Sequence, residues 1–202
     1  MRFPMSPVPL HLEVATGRYF FMKVPNEEVA KEMIARAEDV HAFVCLDLRI
    51  EPPRIVWIRP AAPTSKSEPP KFDHEEELDA VVRLRRDAPG GLTLKNRRLH
   101  EIWIRSDLTT HPNLEYVVAH ELRHAAQKKH CPEVFYDDDD GRAEGDVYPY
   151  GYEVLKRYFA SAAHLTDELR QEIEGQEIKT QEWFETRYPD GEYKMIQCTP
   201  RG

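Results

Sequence analysis

The segment His120-Glu121-Leu122-Arg123-His124 constrains this chain more than any other. An apolar run, Tyr116-Val117-Val118-Ala119, leads directly into it, and the helix formers Ala125, Ala126, Gln127, Lys128 and Lys129 follow. A helix is therefore predicted from about Pro112, a residue tolerated at helix starts, to Lys129. Residues four apart lie one turn apart on the same helix face, so His120 and His124 can turn imidazole nitrogens toward one metal ion. Glu121 stands beside the first of them, where it can hold a water molecule and take its proton as general base. The pattern points to one Zn2+ per chain, with His120 and His124 as ligands and Glu121 as the catalytic residue.

Catalytic zinc usually takes three protein ligands and keeps a fourth position for water. Three residues compete for the third place: Glu144, twenty positions after His124; Asp146, two further on; and His130. His130 has the spacing of a third histidine in HExxHxxGxxH sites, but Gln127 stands where that pattern has glycine. If the helix continues, His130 lies about 9 Å further along the axis than His124 and on another face. A helix C-terminus also favours a histidine there for its own reasons.

The string Ala119-His120-Glu121-Leu122-Arg123-His124, followed by Glu144-Gly145-Asp146-Val147-Tyr148-Pro149-Tyr150-Gly151, resembles compact bacterial and phage zincins, of the ImmA/IrrE-like metallopeptidase type. In that family an AHELxH helix precedes a second helix whose leading Glu completes the zinc site. The resemblance covers roughly residues 26–160. It implies Glu144 as third ligand and zinc-dependent hydrolysis of a peptide or protein substrate. It also implies a zincin-like α+β fold: a small, mainly antiparallel sheet packed on the active-site helix, with further helices around it. The other reading is a zincin-like regulatory or binding module without peptidase activity, marked by a closed fourth coordination position.

The rest of the chain fits a single domain over 1–202, with a Pro-rich loop at 59–72 and a helical extension at 162–202. Strands are expected at Gly17–Val24, Arg54–Ile58, Leu92–Asn96 and Leu99–Arg105, with a final one at Tyr193–Gln197. The strand at Glu101–Ser106 would offer an edge to an extended substrate. Helices are expected at about Glu27–Phe43, with Asn26 as cap, at Arg142–Ser161, with a kink or late start at Pro149, and from a Thr166 cap to Thr186. Residues 74–86 can be read as helix or strand.

A net charge of −8 argues against a dedicated nucleic-acid binder, despite the local basic run through Arg83, Arg85, Arg86, Lys95, Arg97, Arg98 and Arg105. The acidic run Asp137–Asp140 fails as a calcium loop. Placing Gly141 sixth puts Tyr136 first and Val147 twelfth, so the run reads as a solvated connection. No stretch is long and apolar enough to span a membrane. The three cysteines, Cys45, Cys131 and Cys198, are widely spaced and odd in number. They are expected as reduced thiols, with a cytoplasmic location. Tyr148 and Tyr150 are candidate hydrogen-bond donors to an oxyanion. Arg123 and Gln127 share a helix face and are expected to contact neighbouring elements.

Overall fold

The computed structural model describes residues 18–61, 84–85, 91–93, 100–108, 112–136, 140–162, 166–187 and 198. The strand expected at Tyr193–Gln197 lies outside them, as do most of the Pro-rich loop, residues 74–83 and 86–90, and Asp137–Asp139.

The chain is α+β. Strand β1 (Arg18–Lys23) leads through a 3-10 turn (Asn26–Glu28) into helix α1 (Lys31–Leu48). Strands β2 (Arg54–Ala61), β3 (Leu84–Arg85), β4 (Gly91–Thr93) and β5 (Glu101–Arg105) follow. Helix α2 (Asn113–His130) carries the motif. A single turn, α3 (Pro132–Phe135), leads to α4 (Asp140–Ser161) and α5 (Asp167–Arg187).

Helix α1 starts later and ends later than its expected span. Asn26 lies inside a 3-10 turn whose cap is Pro25, Val29 is extended, and Ala30 rather than Asn26 caps the helix proper. Met33, Ala37, Val40, Val44 and Leu48 are all buried, and this stripe carries the helix five residues beyond Phe43. Arg49 then stops it in the left-handed conformation, φ 53°, its N–H donating to the carbonyls of Cys45 and Leu46.

The sheet order is β3-β1-β2-β5-β4. The β1–β3, β1–β2 and β4–β5 pairs are antiparallel, but the inner β2–β5 pair is parallel, with Trp57 opposite Ile104 and Ile55 opposite Ile102. The sheet is therefore mixed. Among the described residues, β3 and β4 occupy opposite edges, so the chain crosses the sheet before returning to lay β5 beside β2. Strand β5 is interior, and the edge belongs to β4, which corrects the expectation of an edge at Glu101–Ser106. Burial of Glu101, Ile102, Trp103 and Ile104 in succession agrees with an interior strand covered on both faces.

Ile102 and Ile104 join α1 and α2 in the main core, with Val40, Val44, Leu114, Val118 and Leu122. On the other face Trp103 donates its indole N–H to Glu101 at 2.9 Å, and the Lys23 ammonium sits 5.4 Å from its ring centre. Glu115, buried on α2, is held by the Arg36 guanidinium of α1 at 2.8 and 3.0 Å, so the helix pair is charge-matched as well as apolar.

Helix α4 runs unbroken through Pro149. Proline removes one helical donor and crowds the carbonyl four residues back, which here belongs to Gly145. Helix α5 begins at a Thr166 cap, whose hydroxyl accepts the Leu169 N–H at 3.2 Å. It packs on α4 through Tyr152, Leu155, Phe159 and Ile173. The Tyr152 and Thr180 hydroxyls lie 2.9 Å apart. Among the described residues no helix is long and apolar enough to cross a membrane.

Cys131 and Cys198 form a disulfide, their Cα atoms 6.0 Å apart across 67 residues, while Cys45 is free and buried. The expectation of three reduced thiols is thus wrong for two of them. Wide spacing carries no sign of this pairing, because only the folded chain brings residue 198 back to the end of α2. Disulfides persist mainly in oxidising compartments, so the cytoplasmic expectation loses its cysteine argument.

Two helical glycines separate propensity from packing. A Cβ at Gly175 meets nothing within 4 Å, whereas one at Gly151 lies 3.0 Å from the Tyr116 ring. Gly175→Ala should raise unfolding free energy by about 0.5–1 kcal/mol. Gly151→Ala should lower it despite the same propensity gain, because the buried ring must move. Urea titrations of both variants check the opposite signs.

Candidate metal centre

Helices α2 and α4 pack against each other, and the site is made at their contact. His120 and His124, one turn apart on α2, point the same way, and Glu144, in the first turns of α4, reaches between them. Its Oε2 lies 3.3 Å from His120 Nε2 and its Oε1 lies 3.3 Å from His124 Nε2. Each of the three side chains offers a ligand atom within 4.8 Å of the others, so the group could hold a metal ion. Two ligands placed about 2.0–2.1 Å from one tetrahedral ion stand about 3.3–3.4 Å apart, the spacing seen here. Glu144 Oε2 is buried without a hydrogen bond, as is His120 Nδ1. A coordinating cation would satisfy the first of these.

Burial alone would raise the Glu144 pKa. The charges of His124 and His120 outweigh it and hold the carboxyl far below the ordinary carboxylate range. Burial would likewise lower His124, but the Glu144 carboxylate beside it lifts the imidazole to about 9. Burial pushes the Glu121 pKa up, against the opposing pull of His120 and His124. Glu121 is 5% exposed, and its Oε2 accepts the Thr93 hydroxyl at 2.9 Å. The same hydroxyl lies 2.8 Å from the Glu121 carbonyl, so β4 is pinned to α2 at the motif. Thr93 escapes sequence reasoning, because nothing in Gly91-Leu92-Thr93 signals contact with a helix 28 residues away.

The competing ligands are placed elsewhere. Asp146 accepts the Arg123 guanidinium at 2.9 and 2.7 Å and the Gln127 amide at 2.9 Å. His130 is the last residue of α2 and does not join the cluster, since the helix runs on through Gln127. The tyrosines separate too. Tyr150 donates to Asp47 at 2.8 Å and lies under Arg123, whose guanidinium carbon is 4.8 Å from its ring centre. Tyr148 packs edge-on against His120, ring centres 4.8 Å apart, and Tyr116 flanks both rings.

No family model, curated protein or solved structure matches this chain. The functional reading therefore rests on the geometry of the site.

The electrostatics yield a pH signature in metal-free protein. The His124 pKa rises on folding from 6.5 to about 9, so its stabilising contribution is complete below 6.5 and is lost as pH rises through about 9. After chelator treatment, the melting temperature of wild type should fall relative to that of Glu144→Gln between pH 6.5 and 9.5. Parallel pH profiles for the two proteins would contradict the assigned attraction between His124 and Glu144.

Proposed function

We propose that this chain is a zinc metallopeptidase of zincin-like fold, similar to the ImmA/IrrE type. One observation carries the reading: the His120 and His124 Nε2 atoms each lie 3.3 Å from a Glu144 carboxylate oxygen, in a group whose ligand atoms fall within 4.8 Å of one another, beside the buried carboxyl of Glu121. Zinc suits this two-imidazole, one-carboxylate donor set, and when bound it would act as a Lewis acid on the scissile carbonyl and acidify water.

The chain's own residues account for the proton transfers. Glu121 takes a proton from the attacking water at Oε1 while Thr93 fixes Oε2. It then delivers that proton to the leaving amine nitrogen. Burial raises its pKa above the ordinary carboxylate value, which strengthens it as a base. Of the two tyrosines, Tyr148 packs against His120 while Tyr150 hydrogen-bonds Asp47, which supports Tyr148 as the donor to the oxyanion of the tetrahedral intermediate. Among the described residues β4 is the edge strand beside the motif, a position suited to pairing with an extended peptide.

A regulatory module with a closed metal site would need a fourth protein ligand. The candidates from sequence lie elsewhere: Asp146 is bound by Arg123 and Gln127, Cys131 and Cys198 share a disulfide, and His130 stands at the end of α2 outside the cluster. This supports a position left for water.

Glu121→Gln should retain metal and lose hydrolysis of a quenched-fluorescent peptide library by about 10²–10⁴-fold. Cleavage by that variant at the wild-type rate would remove Glu121 from the mechanism. Tyr148→Phe should lower kcat by about 10²-fold with KM little changed, and Tyr150→Phe should leave kcat near wild type. Equal effects from the two tyrosines would contradict the assignment.

A further inference from the structure

A second polar network lies behind His124, with Arg123, Gln127, Asp146 and Cys198 all buried. His124 Nδ1 is 3.0 Å from Gln127 Oε1. The Gln127 amide nitrogen donates twice, to Asp146 Oδ2 at 2.9 Å and to the Ala143 carbonyl at 2.9 Å. Both amide protons are thereby used, which fixes the orientation of the amide and leaves Oε1 facing the histidine. An amide oxygen only accepts, so His124 must carry its proton on Nδ1, and the Nε2 lone pair is directed at the metal position. Gln127 is 0% exposed, so water cannot replace this contact.

Asp146 is held in turn. Its carboxylate takes both Arg123 hydrogen bonds, and its Oδ1 also accepts the Cys198 N–H at 3.4 Å. Arg123 donates to the Cys198 carbonyl at 2.8 Å. Cys198 is bonded through sulfur to Cys131, whose N–H donates to the Gln127 carbonyl at 2.7 Å. The path closes on itself: His124 to Gln127, Gln127 to Asp146, Asp146 to Cys198, Cys198 to Cys131, and Cys131 back to Gln127.

We infer that Gln127 and Asp146 are positioning residues that fix the Nδ1–H tautomer of His124, and that the Cys131–Cys198 disulfide fastens them, so that metal retention depends on its thiol–disulfide state. This rests on the metal-site reading above. The redox step is thiol–disulfide exchange: two equivalents of a monothiol reduce the bond. The first forms a mixed disulfide and the second displaces it, leaving Cys131 and Cys198 as thiols and the donor as its own disulfide. Once the link is cut, residue 198 loses its covalent tie to the end of α2, and Arg123 and Asp146 can exchange that partner for water. Partners of metal-ligating histidines commonly contribute 10–100-fold to affinity.

The test is zinc affinity of the full chain, measured by competition with a chromophoric chelator. Wild type is compared with Gln127→Ala, with the double variant Cys131→Ser, Cys198→Ser, and with wild type titrated with a phosphine reductant. The expected result is a loss of about 10–100-fold for Gln127→Ala, with a smaller loss for the double variant and for reduced wild type. The zinc-loaded wild type should show a slowly exchanging His124 Nδ1–H resonance in ¹⁵N–¹H spectra, absent in Gln127→Ala. A purely structural role for Gln127 would not remove that resonance. Affinity and resonance unchanged in Gln127→Ala, or affinity unchanged on reduction, would overturn the inference while leaving the metal site standing. Failure of wild type to bind zinc would overturn both. The reductant titration needs no substitution, so it decides the disulfide's role even if a variant does not fold.

Discussion

The contact on which this structure depends is the insertion of the Glu144 carboxylate between the imidazoles of His120 and His124. Three partly buried polar groups meet there, and such an arrangement is favoured only if each group answers the charge of another. The histidines come from one helix and the carboxylate from another, so the site holds only while α2 and α4 keep their packing. The Arg123–Asp146 ion pair, made one turn away across the same two helices, serves that end. Val118, Leu122 and Val154, buried with the sheet, supply the apolar part of the same interface.

The sheet sets the other side of the site. Placing β5 between β2 and β4 brings Thr93 of the edge strand against Glu121. The Glu121 carboxyl, to which we assign proton transfer, is thus held by an element separate from those carrying His120, His124 and Glu144. This division of labour has a physical logic. A general base must be desolvated enough for its pKa to rise and oriented enough to act, and burial with one fixed hydrogen bond gives both.

Much of this was legible in the sequence, and the parts that were not share a cause. The motif helix and the helix carrying Glu144 could be read because their signals are local: histidines four apart, an apolar run before them, and good helix formers after. Convergence of Glu144 with the two histidines came from a resemblance of motif order, since spacing alone left Asp146 and His130 open. What stayed hidden depends on contacts between distant segments. The parallel β2–β5 pairing, the edge position of β4, the Thr93–Glu121 hydrogen bond and the Cys131–Cys198 link each join residues 28 to 67 positions apart or depend on strand order. Helix α1 was mis-bounded for a related reason. Asn26 offers a local cap, but burial of Val44, Cys45 and Leu48 against the core decides where the helix ends.

The central claim is that α2 and α4 together make a metal site whose third ligand is Glu144. Elemental analysis of the purified full-length protein, wild type beside Glu144→Ala, tests it most directly. One zinc per wild-type chain, lost or sharply weakened in the variant, is the predicted result. No zinc in wild type after reconstitution, or undiminished zinc in Glu144→Ala, would contradict it.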